Sequence, residues 1–138
     1  MKALLIIATL LIGVLVIASC QNEQEINFNR YYSAGAAVYQ SHCQNCHGDK
    51  GQGLAALIPA FTDTAFLRSN KTNLPFYLQN GLKGKITVNN ITFDGQMLPA
   101  NLSPIEIAQV LTYVTNSFGN KAGLIDNDMV AKDLKGCK

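Results

Sequence analysis

The sequence predicts an all-α fold: one small helical domain behind an apolar leader, arranged about the stretch Cys43-Gln44-Asn45-Cys46-His47. Three observations carry that expectation. Apolar residues between Tyr31 and Tyr39 fall near helical spacing and lead straight into that stretch. A second periodic run, Ser103 to Phe118, opens on helix-start signals and stops at Gly119. Between the two, the chain reads as a glycine-rich loop, two short capped helices and one small hairpin.

Residues 1–19 read as a secretory signal peptide: a basic head at Lys2, an apolar run from Ala3 to Ala18, and small residues at its end. The run is slightly short for a permanent span. Ile17-Ala18-Ser19-Cys20 resembles the lipobox of bacterial lipoproteins. That resemblance implies cleavage before Cys20 and lipid on its thiol and amino group, an anchor of several acyl chains. Gln21 after the cysteine, in place of aspartate, tilts sorting toward an outer membrane. Residues 20–30, polar and carrying Glu23 and Glu25, read as a lipidated N-terminus and flexible tether.

The domain is expected over residues 31–119. Tyr31, Ala34, Val38 and Tyr39 define one face of its first helix, and Gly35 offers a low surface for another helix to approach. Gly48-Asp49-Lys50-Gly51-Gln52-Gly53 is a loop of tight turns; no strand precedes it and no Gly-Lys-Ser/Thr follows, which excludes a phosphate loop. Thr62-Asp63 caps a short helix through Leu67, and Thr72 caps another through Gln79, with Pro75 in its first turn and Gly81 at its exit. Phe66, Leu67, Phe76, Tyr77 and Leu78 are assigned to the pocket wall and core. Ile86-Thr87-Val88 and Ile91-Thr92-Phe93, joined by Asn89-Asn90, predict a small hairpin. The Ser103 helix has Pro104 at its first position, Glu106 completing a capping box, and a stripe of Ile107, Val110, Leu111, Val114 and Phe118. Residues 120–138 read as a polar C-terminal tail in which Ile125, Met129 and Leu134 are docking contacts.

Two cysteines three positions apart with histidine directly after the second form the attachment motif of covalent haem c: the thiols add to two vinyl groups and the histidine ligates iron. Zinc would require two more convergent ligands. The only other histidine is His42, and the remaining cysteines, Cys20 and Cys137, lie at the chain's extremes. A thioredoxin-like pair would follow a buried strand, whereas the upstream segment here is helical. A structural Cys43–Cys46 disulfide without haem is the blander reading. For a second iron ligand, Met1 leaves with the signal and Met129 lies in the tail, so Met97 is the candidate, in a loop stiffened by Pro99. His42 adjoins Cys43 and is too close in the chain to reach the opposite face of the ring. Cys137 is left as a lone thiol with an inert role expected.

Taken together these residues resemble the class I c-type cytochromes, over roughly Tyr31 to Gly123. The resemblance implies a cytochrome c-like all-helical fold around one covalent haem c. Gly35 and Tyr39 match the glycine and aromatic of the first helix, and Val110 and Tyr113 match the closing helix that crosses them. Cys43, Cys46 and His47 match the thioether cysteines and proximal histidine, Pro59 the proline whose carbonyl accepts from that histidine, and Met97 the axial methionine. Gly84 to Gly95 and Ser103 to Ile107 resemble a bacterial subgroup found as haem subunits beside dehydrogenases and oxidases. That subgroup has proline directly after the methionine; here Leu98 intervenes. The implied function is single-electron transfer by a lipid-anchored carrier facing the periplasm, not catalysis. Its partners would be redox proteins: a quinol-oxidising complex, a dehydrogenase or a terminal oxidase. A stable haem subunit of such a complex and a five-coordinate gas sensor are the alternatives. The charge, 11 Lys and Arg against 9 Asp and Glu, forms no basic stripe and argues against nucleic acid.

Overall fold

In the computed structural model, backbone is described for residues 2–136; in the first helix, side chains are described at Lys2, Ile7 and from Glu23 onward. The side chain of Cys20 and all of Cys137 lie outside the described residues. Six helices and four short strands follow one another: α1 (Lys2–His42), α2 (Gln44–His47), α3 (Thr64–Ser69), α4 (Leu74–Asn80), β1 (Leu82–Lys83), β2 (Ile86–Val88), β3 (Ile91–Phe93), β4 (Gln96–Met97), α5 (Pro104–Val114) and α6 (Asn127–Gly136). Among the described residues no helix is long and apolar enough to cross a membrane.

The fold rests on α1 crossing α5. Their approach is set by Gly35: a Cβ there would lie 2.0 Å from the Gln109 carbonyl oxygen and 2.9 Å from the Tyr113 Cβ. No side chain fits, so the glycine that weakens a helix locally brings two backbones together instead. Around the crossing, Tyr39, Ile107, Val110, Leu111 and Val114 are buried. Tyr32, Tyr39, Tyr113 and Phe118 pack with ring centroids 5.1–5.8 Å apart, the tilted and edge-on arrangements that aromatic quadrupoles favour.

Three expectations need correction. Residues 20–30 are helical, not a flexible tether: α1 runs through them without a break. Polarity such as that of Gln21 to Glu25 is shared by tethers and exposed helices, but Glu23, Gln24 and Glu25 are good helix formers with no proline among them. Phe28 then stacks on Tyr32 at 5.7 Å, and the Tyr32 hydroxyl meets the Ser117 hydroxyl at 3.0 Å. Within the expected polar tail, residues 127–136 form a helix that packs on α5. Of the three docking contacts expected there, Ile125 is buried and Leu134 packs on the core, with Asn120 and Val130 also buried, while Met129 faces outward. The closing helix ends at Val114, one turn short of Phe118. The Thr115 hydroxyl donates to the Leu111 carbonyl at 2.7 Å and Asn116 donates to the Thr112 carbonyl, and Phe118 takes a left-handed φ of 57°.

Smaller differences follow the same logic. Asp63 caps α3, accepting from the Phe66 N–H, whereas α4 starts after Asn73 with no side-chain cap, not at Thr72. Phe76 is exposed, and Leu74 and Pro75 supply the buried face of α4. The hairpin β2–β3 forms as expected, with Asn89 and Asn90 both at positive φ (50° and 62°), the conformation a two-residue primed turn requires. A second pair, β1 with β4, sets Leu82 opposite Met97 and Lys83 opposite Gln96.

Candidate functional site

Helical winding carries through the junction of α1 and α2. The Cys43 N–H bonds to the Tyr39 carbonyl at 2.9 Å and the His47 N–H to the Cys43 carbonyl at 2.9 Å. Cys43, Cys46 and His47 therefore share about one turn, with Cys43 and His47 buried and Cys46 exposed. Neither thiol is bonded to the other. Burial, with the neighbouring Cys46 adding to it, pushes the Cys43 thiol up to about 11, so it is protonated at neutral pH.

The loop after His47 folds back over it. Gly48, Gly51 and Gly53 all take positive φ. At Gly53 a Cβ would sit 2.2 Å from the Ile58 carbonyl oxygen, so the chain passes itself at backbone contact. The Gly53 N–H reaches the His47 carbonyl at 2.8 Å, Leu54 pairs with Ile58, and the Phe61 N–H reaches the Gly51 carbonyl at 2.8 Å. This winding delivers two groups to the imidazole. The Pro59 carbonyl lies 3.1 Å from His47 Nδ1, and the Phe61 ring stacks on the imidazole at 4.2 Å and 22°. A carbonyl can only accept, so Nδ1 carries the proton and the Nε2 lone pair is left for a metal. Burial lowers the His47 pKa, with the Pro59 carbonyl pulling the other way. The ring is neutral, as ligation requires. From the α1 side, the buried Tyr39 hydroxyl donates to the Gly48 carbonyl at 2.6 Å and locks the loop's first turn.

Met97 ends β4, half-buried. Its strand is held at Gly81, where a Cβ would come 2.4 Å from the Met97 carbonyl oxygen. The chain also passes the His47-side loop, since a Cβ on Gly95 would meet the Leu57 carbonyl oxygen at 3.7 Å. The structure thus brings Cys43, Cys46, His47 and Pro59 together directly, and sets Met97 on the neighbouring segment. His42 is exposed at the end of α1 and Met129 is exposed on α6; neither belongs to this cluster.

The residues present fit haem c. The donor set is a neutral imidazole with a free Nε2, two unpaired thiols on the same turn, and a thioether on the adjoining segment. Leu54, Leu57 and Leu98 are 54%, 72% and 70% exposed. Leucines this bare, clustered on the loops beside His47 and Met97, suit the cover of an apolar macrocycle better than they suit water. A cleft of about 250 Å³ elsewhere, lined by Leu67, Arg68, Lys71, Thr115, Asn120 and Lys121, contains none of these donors. Its polar floor is satisfied internally, Thr64 donating to Asn120 and Thr115 to the Leu111 carbonyl.

Reasoning from sequence missed Phe61 as the ring that covers the imidazole and Asn120 as its anchor. A Pro-Ala-Phe run downstream of the motif was the one available sign of the first; nothing local signals the second. Compared with known proteins, the chain matches the family model described as Cytochrome c over residues 32–117. No curated protein matches it.

Proposed function

The chain belongs to the cytochrome c family, in its class I form with one covalent haem c, and from that premise we propose that it is a lipid-anchored carrier passing single electrons between respiratory redox partners. The observation that supports it most is the His47 cluster: two thiols on the turn that bears the imidazole, with Nδ1 committed to Pro59. When bound, haem supplies the one-electron couple of its iron. Cys43 and Cys46 would hold the group through their two free thiols. His47 would hold iron through Nε2, while its Nδ1–H bond to Pro59 fixes the ring's orientation and raises its basicity. Met97 would be the second ligand; a neutral, soft thioether favours the ferrous state and raises the potential. Leu54, Leu57 and Leu98 would keep water from the bound group. His47 and Met97 would both be used in holding the group, which favours a carrier over an enzyme.

Anchoring is read from Ile17-Ala18-Ser19-Cys20: lipid on Cys20 holds the exported domain on the periplasmic side of a bacterial envelope membrane. The partners are quinol-oxidising complexes, dehydrogenases or terminal oxidases, engaged transiently. The test is protein matured in a periplasm. Its mass should exceed lipidated polypeptide by one haem that resists acid–acetone extraction, and its oxidised spectrum should carry the weak sulfur–iron charge-transfer band. Haem that extracts quantitatively would sink the attachment assignment. Cys20→Ser should abolish palmitate incorporation; unchanged labelling would sink the anchor.

A further inference from the structure

Asn120 lies beyond the residues matched by the family model, yet it is 8% exposed and saturated with hydrogen bonds. Its Nδ2 donates to the Phe61 carbonyl at 2.7 Å, to the Ser117 carbonyl at 2.9 Å and more weakly to the Val114 carbonyl at 3.3 Å. Its Oδ1 accepts from the Thr64 hydroxyl at 2.8 Å. One side chain thus joins the end of α5, the start of α3 and the segment carrying Pro59 and Phe61. Phe61 is held by both backbone groups, its N–H by Gly51 and its carbonyl by Asn120. Its ring lies against the His47 imidazole, and the carbonyl that fixes His47 Nδ1 is two residues upstream.

We propose that Asn120 is a positioning residue for the proximal ligand: by pinning the Phe61 carbonyl it holds the Pro59–Phe61 segment against the imidazole and so sets the midpoint potential. The proposal rests on the reading of His47 as an iron ligand. Its physical core is the Nδ1–H bond. A firm bond to Pro59 raises imidazole basicity and stabilises ferric iron; a loosened one does the opposite. Closing the turn after α5 would need only the Ser117 bond, which the Asn120 backbone N–H also makes at 2.9 Å. The long reach to Phe61, across 59 residues, is the part that a turn does not use.

The experiment compares holoprotein variants Asn120→Ala, Asn120→Ser and Thr64→Val. Neither substitution at 120 reaches Phe61, though serine still bonds locally and keeps the fold intact if alanine does not. Thr64→Val removes the other end of the Asn120 network and leaves its donors in place. The Asn120 variants should raise the midpoint potential and speed exchange of the ferrous His47 Nδ1–H by about tenfold, the scale of one lost buried hydrogen bond. Thr64→Val should lower the denaturation midpoint while moving neither. Wild-type potential and exchange in both Asn120 variants, or equal shifts in Thr64→Val, would overturn the role. Hyperfine-shifted His47 ring resonances in the ferric wild type separate the two ideas. Their absence overturns the ligand reading and the proposal with it; their presence, with unresponsive Asn120 variants, overturns the positioning role alone.

Discussion

The two sides of the candidate haem site are built by different means. On the His47 side, the loop is backed by packed helices: the α1–α5 crossing at Gly35, the Tyr39 hydroxyl on Gly48, the Phe61 ring, and Asn120 behind it, 59 residues from Phe61 in the chain. On the Met97 side the support is a two-residue ladder to β1, one close backbone contact at Gly81, and Leu98 and Pro99 standing in solvent. Packed helices carry the turn bearing Cys43, Cys46 and His47. A short ladder carries Met97. His47 is thus held by the core and Met97 by backbone pairing alone.

The largest test strikes the core. Gly35→Ala should cost about 3 kcal/mol, the upper part of the usual overpacking range, because the new methyl meets the Gln109 carbonyl and helix backbone cannot yield as a side chain does. Chemical denaturation measures it, and loss of haem incorporation should accompany it. A cost under about 0.5 kcal/mol would mean that the crossing is not as tight as described.

Next, Met97→Ala should remove the charge-transfer band, lower the midpoint potential and let ferrous protein bind carbon monoxide, while changing global stability far less than Gly35→Ala does. Met129→Leu should do none of these. An unchanged band in Met97→Ala would refute the assignment, and rapid carbon monoxide binding by the native protein would favour the gas sensor.

A pH test sharpens the contrast at Tyr39. Burial, then the nearby Cys43, push its pKa from 10.0 to about 12. The fold favours the neutral phenol, so its contribution is complete below pH 10 and is lost as pH rises from 10 toward about 12. Tyr39→Phe should lower stability at pH 7 by about 1 kcal/mol through the lost bond to Gly48 and flatten the alkaline limb relative to wild type. Parallel alkaline limbs in the two proteins would show that Tyr39 is not the group responsible.

The smallest effect is expected at the hairpin tip. Asn90→Ala should cost about 1 kcal/mol for a left-handed residue and leave the potential unchanged, since β2–β3 supports neither ligand directly. A shifted potential would tie the hairpin to the haem after all.

The parts legible in the sequence were those whose cause is local. Cys43-x-x-Cys46-His47 declares its chemistry within five residues, Asn89-Asn90 declares its turn, and Ser103, Pro104 and Glu106 mark the start of α5, where Glu106 accepts from the Ser103 N–H at 2.8 Å. The rest depended on partners far away in the chain. Glu23 to Arg30 has a composition that fits tether and helix alike, and the Phe28–Tyr32–Tyr113 stack that favours helix needs a ring supplied by α5. Met129 and Val130 are adjacent apolar residues in a polar stretch, and only the position of α5 decides that Val130 is the buried one. A two-residue strand such as β4 is too short to show any period. Asn120, just beyond a helix end, reads as an ordinary cap until Phe61 is brought to it.

The unbroken α1 has a mechanical consequence. From Glu23 to His42 it advances about 30 Å at about 1.5 Å per residue, and at its far end the same backbone continues into the turn bearing Cys43 and His47. A coil would leave the angle between residues 23–30 and the site turn free. A helix tied at Tyr32 to Ser117, just beyond α5, fixes tilt and azimuth instead. A macrocycle held by Cys43, Cys46 and His47 would then keep a preferred angle to the α1 axis, an angle that linear dichroism of the aligned protein would read directly.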